Sequence, residues 1–511
     1  MKHVSQRIAN LNHWRVVFHI LIISFGLIGI LIIHYATFWG IGLYGWDSFS
    51  YISVARSIAT GHGFAYPIED NYYAPLTHYP PFLSTILALF EIFGVDAILG
   101  AKYMNALLFG SSIILFGLLF KRITDSLVFI ALGTFLFTTS AILIELYSLA
   151  MSEGLFLTLT LLNFLLLNRY ITHDGWFLLI VLSIILGCAA LTRYVGIVNI
   201  ITGMLVILFL KKEKRFSKKL REVLLIGAIS FTPLFLWTWR NYTLTTSINN
   251  RSIEYHPLVL KNYLNVFYTF SNWYIPDSLV IGNEKAIVFV SLSIVLGSFF
   301  LAYSYTRFRA KDKPTTWKPS IRITHPLNII SFIYIICYLV AMFISKTFLD
   351  PGTGMTNRIF APVLVISLFL IINLLQYLWK TEIRAIRGIV LFMVVYLLIF
   401  STHKTIQSIP EIHSTGMGLG RKALQNSDSI KMIAELSDQI PIFNNNPYAV
   451  YLYSGRVGYK LNRFSSENNQ QGEAIIAIFG SAEDYEILER FSDDITLIQE
   501  DNIATLYLYK P

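Results

Sequence analysis

Residues 43–64, LYGWDSFSYISVARSIATGHGF, follow an apolar run at 16–38 that is long enough to cross a bilayer. The segment has the spacing of an amphipathic helix that ends at Gly61. The apolar side chains of this helix are expected on the membrane surface, and they are Phe49, Ile52, Val54, Ala55 and Ile58. A chain that leaves the membrane into such a helix predicts a membrane protein with a structured first loop, which we place at 39–97.

A second short helix is predicted in the same loop. The run PPFLSTILALFEIFG, residues 80–94, is apolar but falls short of the roughly 20 residues that a span needs. Its two prolines fix where the helix begins. We therefore expect two interfacial helices in the first loop, both lying in the membrane surface.

The composition of the whole chain agrees with a membrane protein. Of the 511 residues, 55% are hydrophobic and 14% are charged, and the mean hydropathy is +0.57. Soluble proteins carry about 25% charged residues, so an ordinary soluble enzyme and a disordered chain are both excluded. Cys188 and Cys337 lie in apolar runs and indicate neither a disulfide framework nor a cysteine metal site.

Apolar runs of about 17 to 25 residues are what a helix needs to cross a membrane. On this basis we predict eleven spans, the first of which is too long for the apolar part of a signal peptide and is expected to stay as an anchor. The spans are 16–38, 98–120, 127–144, 149–168, 176–192, 194–210, 223–239, 286–306, 327–348, 359–379 and 388–402.

The positions of lysine and arginine predict the orientation. The densest basic clusters are KKEKRFSKKLRE at 211–222 and RFRAKDKPTTWKPSIR at 307–322, both in loops between spans. Basic loops stay on the cytoplasmic side. The N-terminus is therefore expected in the cytoplasm, and residues 39–97, 240–285, 349–358 and 403–511 outside the plasma or inner membrane.

Residues 403–511 differ in character from the membrane domain, which we place at 1–402. Helical patterns at SIKMIAELSDQI and AEDYEILERFSDD alternate with strand-like runs AVYLYSG, AIIAIFG and ATLYLY. These patterns predict a small extracytoplasmic α/β domain. It has no glycine-rich phosphate loop, metal-spaced histidines or nucleophile elbow, so we expect an accessory role.

Ionisable residues at the outer ends of the spans are the candidates for chemistry. Asp47 follows the first span, and its position fits both a cap of the helix beginning at Ser48 and a catalytic acid. Glu153, in LYSLAMSEGLFLTL, has apolar sequence on both sides and must be paired or face a polar cavity. Three arginines stand at outer span ends, where they fit either snorkelling to lipid headgroups or an anion pocket; they are Arg193, Arg240 and Arg358.

These residues occur in motifs that resemble a known family. The run D-x-x-x-Y-x-x-x-A-x-x-x-x-x-G begins at Asp47 and ends at Gly61, and it is followed by HYPP at 78–81. The later motifs are SE at 152–153, LTR at 191–193, RN at 240–241 and NRIFAP at 357–362. In this order the motifs resemble the membrane-embedded GT-C glycosyltransferases over about residues 1–380. The most similar group is family 39, with protein O-mannosyltransferases and lipid A aminoarabinose transferases, together with related galacturonosyltransferase-like proteins.

The resemblance implies transfer of one sugar, with inversion, from a polyprenyl-phosphate donor to a lipid, glycan or protein acceptor outside the membrane. Phosphate is a good leaving group, so such a site needs a base for the acceptor hydroxyl and cations for the phosphate. The first-loop acid of the family matches Asp47, the implied base, and the second acid matches Glu153, which would orient the acceptor or position Asp47. The implied phosphate and substrate contacts are Tyr51, His78, Tyr79, Arg193, Arg240, Asn241 and Arg358.

The chain departs from the family in two places. Protein mannosyltransferases carry adjacent Asp-Glu where this chain has Asp47 and Ser48, and aminoarabinose transferases carry a lysine where this chain has Tyr79. Both the sugar and the phosphate contact at this position therefore stay open. The sequence predicts no metal site, no certain cofactor and no nucleic-acid partner, while a divalent cation stays open without support.

Two functions other than a transferase stay open as alternatives. A lipid or glycan transporter or flippase is expected to show inverted repeats and helices broken at mid-membrane, and the sequence shows no such repeat. A polyprenyl-linked glycan polymerase or ligase is expected to carry its large polar loop late in the chain. The external first loop favours the transferase.

Overall fold

The computed structural model describes residues 2–69, 72–212, 215–276, 325–381, 383–436, 440–464, 472–480 and 494–510, with part of 287–298. The helices with full bounds are α1 Lys2–Ala36, α2 Gly45–Ala59, α3 Phe82–Ile92, α4 Ala97–Ile123, α5 Leu127–Thr138, α6 Ala141–Tyr147, α7 Ser152–Thr172, α8 Trp176–Thr192, α9 Ile197–Leu210, α10 Phe216–Thr245, α11 Leu260–Asn272, α12 Pro326–Phe348, α13 Asn357–Trp379, α14 Arg384–Thr415, α15 Lys422–Gln425, α16 Asp428–Glu435 and α17 Pro447–Ser454. The strands are β1 Ala65–Glu69, β2 Tyr72–Pro75, β3 Ile442–Asn444, β4 Tyr459–Lys460, β5 Ala474–Phe479, β6 Ile495–Glu500 and β7 Ala504–Tyr509.

Within these described residues, seven helices are long and apolar enough to cross a membrane: α1, α4, α7, α10, α12, α13 and α14. The number is eight if α5 and α6, which meet at a bend of 54°, form one broken span. Helices α8 and α9 stand at two further predicted spans but have 17 and 14 residues. The protein is therefore an integral membrane protein, and the count of eleven spans stays a prediction because 286–306 lies largely outside the described residues.

The bundle is held by a core of large apolar side chains. Phe116 contacts Phe120 and Phe137, with ring centroids 5.1 and 4.9 Å apart, and Phe120 lies 4.9 Å from Phe369 of α13. Without a hydrophobic driving force between helices in lipid, such close packing is a main source of association. This core joins α4, α5 and α13.

The first loop forms α2, the antiparallel hairpin β1–β2 and α3 between α1 and α4. One expectation for α2 is wrong. Phe49, Ile52, Val54 and Ala55 are not on the membrane surface but are almost completely buried, because α2 packs between α3, β1 and α17. The amphipathic pattern therefore reports burial inside the protein, and the interfacial position of α3 stays a prediction.

The C-terminal part contains a five-stranded sheet in the order β4-β3-β5-β7-β6. The strands expected at AIIAIFG and ATLYLY are confirmed as β5 and β7, which pair antiparallel. The run AVYLYSG is helical and not a strand, since Asn446 accepts a hydrogen bond from the Ala449 amide, Pro447 begins α17, and Gly455 ends it with φ of +73°. These end signals outweigh the strand preference of valine and tyrosine. Helix α14 runs past residue 402, the predicted domain boundary, and the helix AEDYEILERFSDD lies outside the described residues except for its last residue.

Candidate active site

Backbone pairing brings the two candidate acids together. Gly42 donates its amide to the Ser148 carbonyl at 2.7 Å, and Ala150 donates its amide to the Gly42 carbonyl at 2.8 Å. Helix α2 begins just after the first segment and α7 just after the second, which places Asp47 and Glu153 in the first turns of two neighbouring helices. The unpaired amides and the positive dipole end of a helix favour carboxylates at this position.

The sequence predicts either a helix cap or a catalytic acid at Asp47, and the prediction of a cap for a helix beginning at Ser48 is wrong. Helix α2 begins at Gly45 with Tyr44 as its N-cap residue, and Asp47 lies inside the first turn. The Ser48 hydroxyl accepts the Tyr44 amide at 2.7 Å and donates to the Ala150 carbonyl at 3.1 Å. Asp47 is therefore not the cap of this helix, and its carboxylate is turned towards other side chains.

Two arginines hold the acids. Arg358 Nη1 lies 3.0 Å from Asp47 Oδ2, and Arg358 Nε lies 3.0 Å from Glu153 Oε1. Arg193 Nη1 lies 2.5 Å from the same oxygen of Glu153 and 3.2 Å from the Ser152 hydroxyl. The side chain of Glu153 is only 6% exposed. A planar guanidinium that binds both acids fixes their separation, which a lysine cannot do in the same way.

Two tyrosines complete the surroundings of Asp47. The Tyr79 hydroxyl donates a hydrogen bond to Asp47 Oδ1, and the Tyr51 hydroxyl donates to the Ser152 hydroxyl at 3.1 Å. Burial raises the pKa of both tyrosines, and for Tyr79 the charge of Asp47 raises it further. Both therefore stay protonated at neutral pH and act as donors. The neighbouring His78 has a pKa below its ordinary value because it is buried and lies near Arg251.

These residues line one cavity of about 1160 Å³. Its polar end is formed by Asp47, Tyr51, His78, Tyr79, Glu153, Arg193, Arg251, Asp350 and Arg358. The remaining wall is largely apolar and comes from helices of the bundle, with Ile142, Ile197, Val198, Ile201, Leu234, Ala341, Met342 and Ile344. The cavity thus joins a charged end to a long apolar surface.

Arg251 and Asp350 also line the cavity, and neither is among the site residues predicted from the sequence. Arg251 Nη2 lies 3.4 Å from Asp350 Oδ2, which makes this the longest ion pair of the polar end among the described residues. Each of the two stands in a connection between helices and in no recognisable motif. The two connections approach each other where the Glu254 amide donates a hydrogen bond to the Phe348 carbonyl at 3.1 Å. This approach brings Arg251 and Asp350 together.

Two of the candidates selected from the sequence lie elsewhere. The Arg240 guanidinium donates to the carbonyls of Leu76 and Phe64 at 2.7 and 2.9 Å, and Asn241 is buried against the carbonyl of Ile248 at 3.0 Å. Neither residue lines the cavity. Together they tie the end of α10 to the first loop.

Among the described residues, no group of three or more histidine, cysteine, aspartate or glutamate side chains is arranged to hold a metal ion. Three described acids of the cavity, Asp47, Glu153 and Asp350, are paired with arginines, an arrangement that suits an anionic ligand with polar hydroxyl groups.

Neither a protein-family model nor a curated protein sequence matches the chain. Solved structures do match it in fold. ArnT from Cupriavidus metallidurans in the apo state has a TM-score of 0.60 and 13% identity over 98% of both chains. The same protein bound to undecaprenyl phosphate has a TM-score of 0.59 and 12% identity, over 97% of this chain and 98% of ArnT.

A third structure is the archaeal oligosaccharyltransferase AglB from Archaeoglobus fulgidus in complex with an inhibitory peptide and a dolichol-phosphate. It has a TM-score of 0.51 and 12% identity, over 90% of this chain and 69% of AglB. The similarity to ArnT covers almost the whole length of both chains. The fold of this chain is therefore the GT-C fold that the sequence motifs resemble.

Proposed function

We propose that the protein is a glycosyltransferase that moves one sugar, with inversion, from a polyprenyl-phosphate carrier to an acceptor. The observation that carries this proposal is the cavity, because a charged end continuous with an apolar wall suits an amphipathic donor of phosphate and isoprenoid. ArnT with undecaprenyl phosphate and AglB with a dolichol-phosphate have the same fold and support the choice of carrier.

The apolar wall is proposed to hold the isoprenoid and the arginines to hold the phosphate. Arg193 and Arg358 are already paired with carboxylates at 2.5 to 3.0 Å. Arg251 has the longer contact of 3.4 Å, to Asp350. We therefore assign the first phosphate contact to Arg251, with His78 beside it. Arg240 and Asn241 are assigned a positioning role, since they hold the first loop in place.

Asp47 is proposed as the base. The acceptor hydroxyl loses its proton to the Asp47 carboxylate, the new bond forms between the acceptor oxygen and the anomeric carbon, and the bond from that carbon to phosphate breaks. The phosphate leaves with the electron pair and is stabilised by the arginines. Arg358 at 3.0 Å and the Tyr79 hydroxyl hold the Asp47 carboxylate in its orientation.

Glu153 is proposed to orient a substrate hydroxyl. Its Oε1 forms ion pairs with both arginines, but neither of its two buried oxygens accepts a hydrogen bond of good geometry in the part of the chain that the structure describes. A buried carboxylate oxygen is costly to leave unpaired, so a hydroxyl of the sugar or acceptor is a suitable partner.

The orientation in the membrane and the role of the C-terminal part are proposed from the positions of the basic loops. We propose that the N-terminus is cytoplasmic, that the cavity opens outside the membrane, and that residues 403–511 form an extracytoplasmic accessory domain. A protease-sensitive tag at the C-terminus tests this. Protease added outside intact cells is expected to remove the tag. A tag that is protected from external protease would contradict the orientation.

The function is tested with undecaprenyl phosphate as the probe. The purified protein is expected to bind it in native mass spectrometry, and Arg251→Met is expected to bind it more weakly than Asp428→Asn, a matched exposed-site control. In parallel, mass spectrometry of envelope glycolipids and glycoproteins from a deletion strain is expected to show loss of one sugar. Absence of binding together with unchanged glycans would refute the transferase, and accumulation of an unflipped carrier would favour the transporter.

A further inference from the structure

Three backbone segments meet beside the candidate acids. Residues 41–43, which lead into α2, lie between residues 148–150, which lead into α7, and residues 417–419 beyond the end of α14. On the second side Leu419 donates its amide to the Leu43 carbonyl at 2.7 Å, and Leu43 donates its amide to the Met417 carbonyl at 3.4 Å. The chain that begins the C-terminal part is therefore hydrogen-bonded to the segment that carries Asp47.

This contact is possible only because the third segment is rich in glycine. Residues 416–420 read GMGLG. A Cβ at Gly418 would lie 2.1 Å from the Leu43 carbonyl oxygen, and a Cβ at Gly420 would lie 2.2 Å from the Ile41 carbonyl oxygen. Gly418 also has a φ of +55°, which other residues adopt only with strain. Any side chain at Gly418 must push residues 41–43 and 416–420 apart.

The C-terminal part holds the glycine segment in place. The Tyr453 hydroxyl of α17 donates to the Leu419 carbonyl at 2.5 Å. Further along α2, Phe49 lies between two rings of α17, with centroids 5.2 Å from Tyr448 and 5.3 Å from Tyr451. Helix α17 thus contacts both the glycine segment and one face of α2.

We propose that residues 416–420 and α17 form a positioning clamp for the two acids, with Gly418 and Tyr453 as its positioning residues. The inference rests on the proposed function, in which Asp47 and Glu153 act on substrate. Asp47 stands four residues after Leu43, and Glu153 stands three residues after Ala150. The clamp gives the C-terminal domain a definite task in the reaction, which is to hold residues 41–43, the segment that enters α2 and is itself paired with the entrance to α7.

The expected size of the effect follows from the geometry. A Cβ at 2.1 Å from an oxygen must move away by about 1 Å to reach a normal contact. Misplacement of a reacting group by about 1 Å lowers the rate by about a hundredfold. Because the arginines and the apolar wall are not part of the clamp, binding of the carrier should change much less than transfer.

The test compares Gly418→Ala with Gly480→Ala in the full-length protein. Gly480, at the end of β5, has a φ of +60° and no atom within 4 Å of a Cβ, so its variant has similar backbone strain without the steric contact. Tyr453→Phe removes only the hydroxyl and is compared with Tyr72→Phe, whose side chain is 58% exposed. Tyr453→Phe also keeps the test informative if Gly418→Ala fails to fold.

Three measurements are made on each variant. Hydrogen exchange of peptides covering 41–47 and 148–153 should become about tenfold faster in Gly418→Ala and Tyr453→Phe. This factor corresponds to the free energy of one lost hydrogen bond. The sugar restored to a deletion strain should fall about a hundredfold in Gly418→Ala. Binding of undecaprenyl phosphate should change less than about threefold, and both controls should resemble the wild type.

Each outcome separates the clamp from the proposed function. If both clamp variants exchange hydrogen and transfer sugar like the wild type, the clamp is overturned. The activity of Asp47→Asn would still test whether Asp47 is the base. Faster exchange with unchanged transfer would also overturn it, since the acids would then not need the clamp. Full transfer by Asp47→Asn would instead overturn the proposed function, and hydrogen exchange would still show whether 416–420 holds the two segments.

Discussion

Replacing Asp47 by asparagine tests the base with little disturbance of the structure. Asparagine has the same shape and keeps one oxygen that accepts the Tyr79 hydroxyl, but it cannot take a proton from a sugar hydroxyl. The ion pair with Arg358 at 3.0 Å is lost. The variant therefore separates the chemical role of the carboxylate from its part in the hydrogen-bond network.

The two effects differ greatly in size. The side chains of Asp47 and Arg358 are 23% and 32% exposed, so their ion pair is partly screened by water. Its loss should lower the free energy of unfolding by about 1 kcal/mol. Loss of a general base lowers a rate by about 10² to 10⁴-fold. Transfer should accordingly be almost abolished in a protein that is nearly as stable as the wild type.

The assay measures the sugar restored to a deletion strain together with thermal unfolding and undecaprenyl phosphate binding of the purified variant. Asp428→Asn is the control, since its carboxylate is exposed and lies in the C-terminal part. If folded Asp47→Asn restores more than about a tenth of the wild-type sugar, a general-base contribution of the expected size is absent and the reasoning is refuted.

Four further predictions follow from the same contacts. Glu153→Gln leaves the buried Arg193 without its anion and should lower the free energy of unfolding by about 3 kcal/mol in a thermal melt; an unchanged melt would contradict the pairing. Arg251→Met should raise the Kd for undecaprenyl phosphate at least about tenfold, and an unchanged Kd would remove it from the phosphate site. Arg240→Lys should speed hydrogen exchange in residues 64–76 by about tenfold without abolishing carrier binding, because it loses backbone carbonyl contacts. The lowered pKa of His78 means that the unfolded state binds more protons, so wild-type stability should fall more steeply than that of His78→Gln as pH decreases below about 6.5, and parallel curves would contradict this.

Hydrophobicity predicted the membrane domain well because a bilayer selects long apolar helices. Ten of the eleven predicted span positions fall on helices of the structure. Sequence patterns failed where two physical causes produce the same pattern. The apolar side of α2 was assigned to the membrane surface, yet Ile52 and Val54 are buried by protein. Likewise AVYLYSG alternates like a strand, but the cap residues Asn446 and Gly455 make it a helix.

The candidate site was predictable to the extent that its residues lie at the ends of spans. Asp47, Glu153, Arg193 and Arg358 stand in different motifs, and the fold brings all four together at one end of the cavity. Arg240 has equally good motif context but is held by backbone carbonyls. Sequence does not distinguish these cases, because both ligands and carbonyls attract an arginine at a helix end.

The charges of the cavity indicate how a phosphate enters. Among the described residues of its polar end, Arg193, Arg251 and Arg358 face the carboxylates of Asp47, Glu153 and Asp350, so the end is close to neutral before a donor binds.

The phosphate of the proposed donor would therefore replace a carboxylate on at least one arginine. Replacement is least costly at the longest pair, which is Arg251 with Asp350 at 3.4 Å. The shorter contacts of Arg358 and Arg193 then stay in place and keep Asp47 and Glu153 oriented. In this arrangement one arginine changes its partner on binding, while the others preserve the geometry that transfer requires.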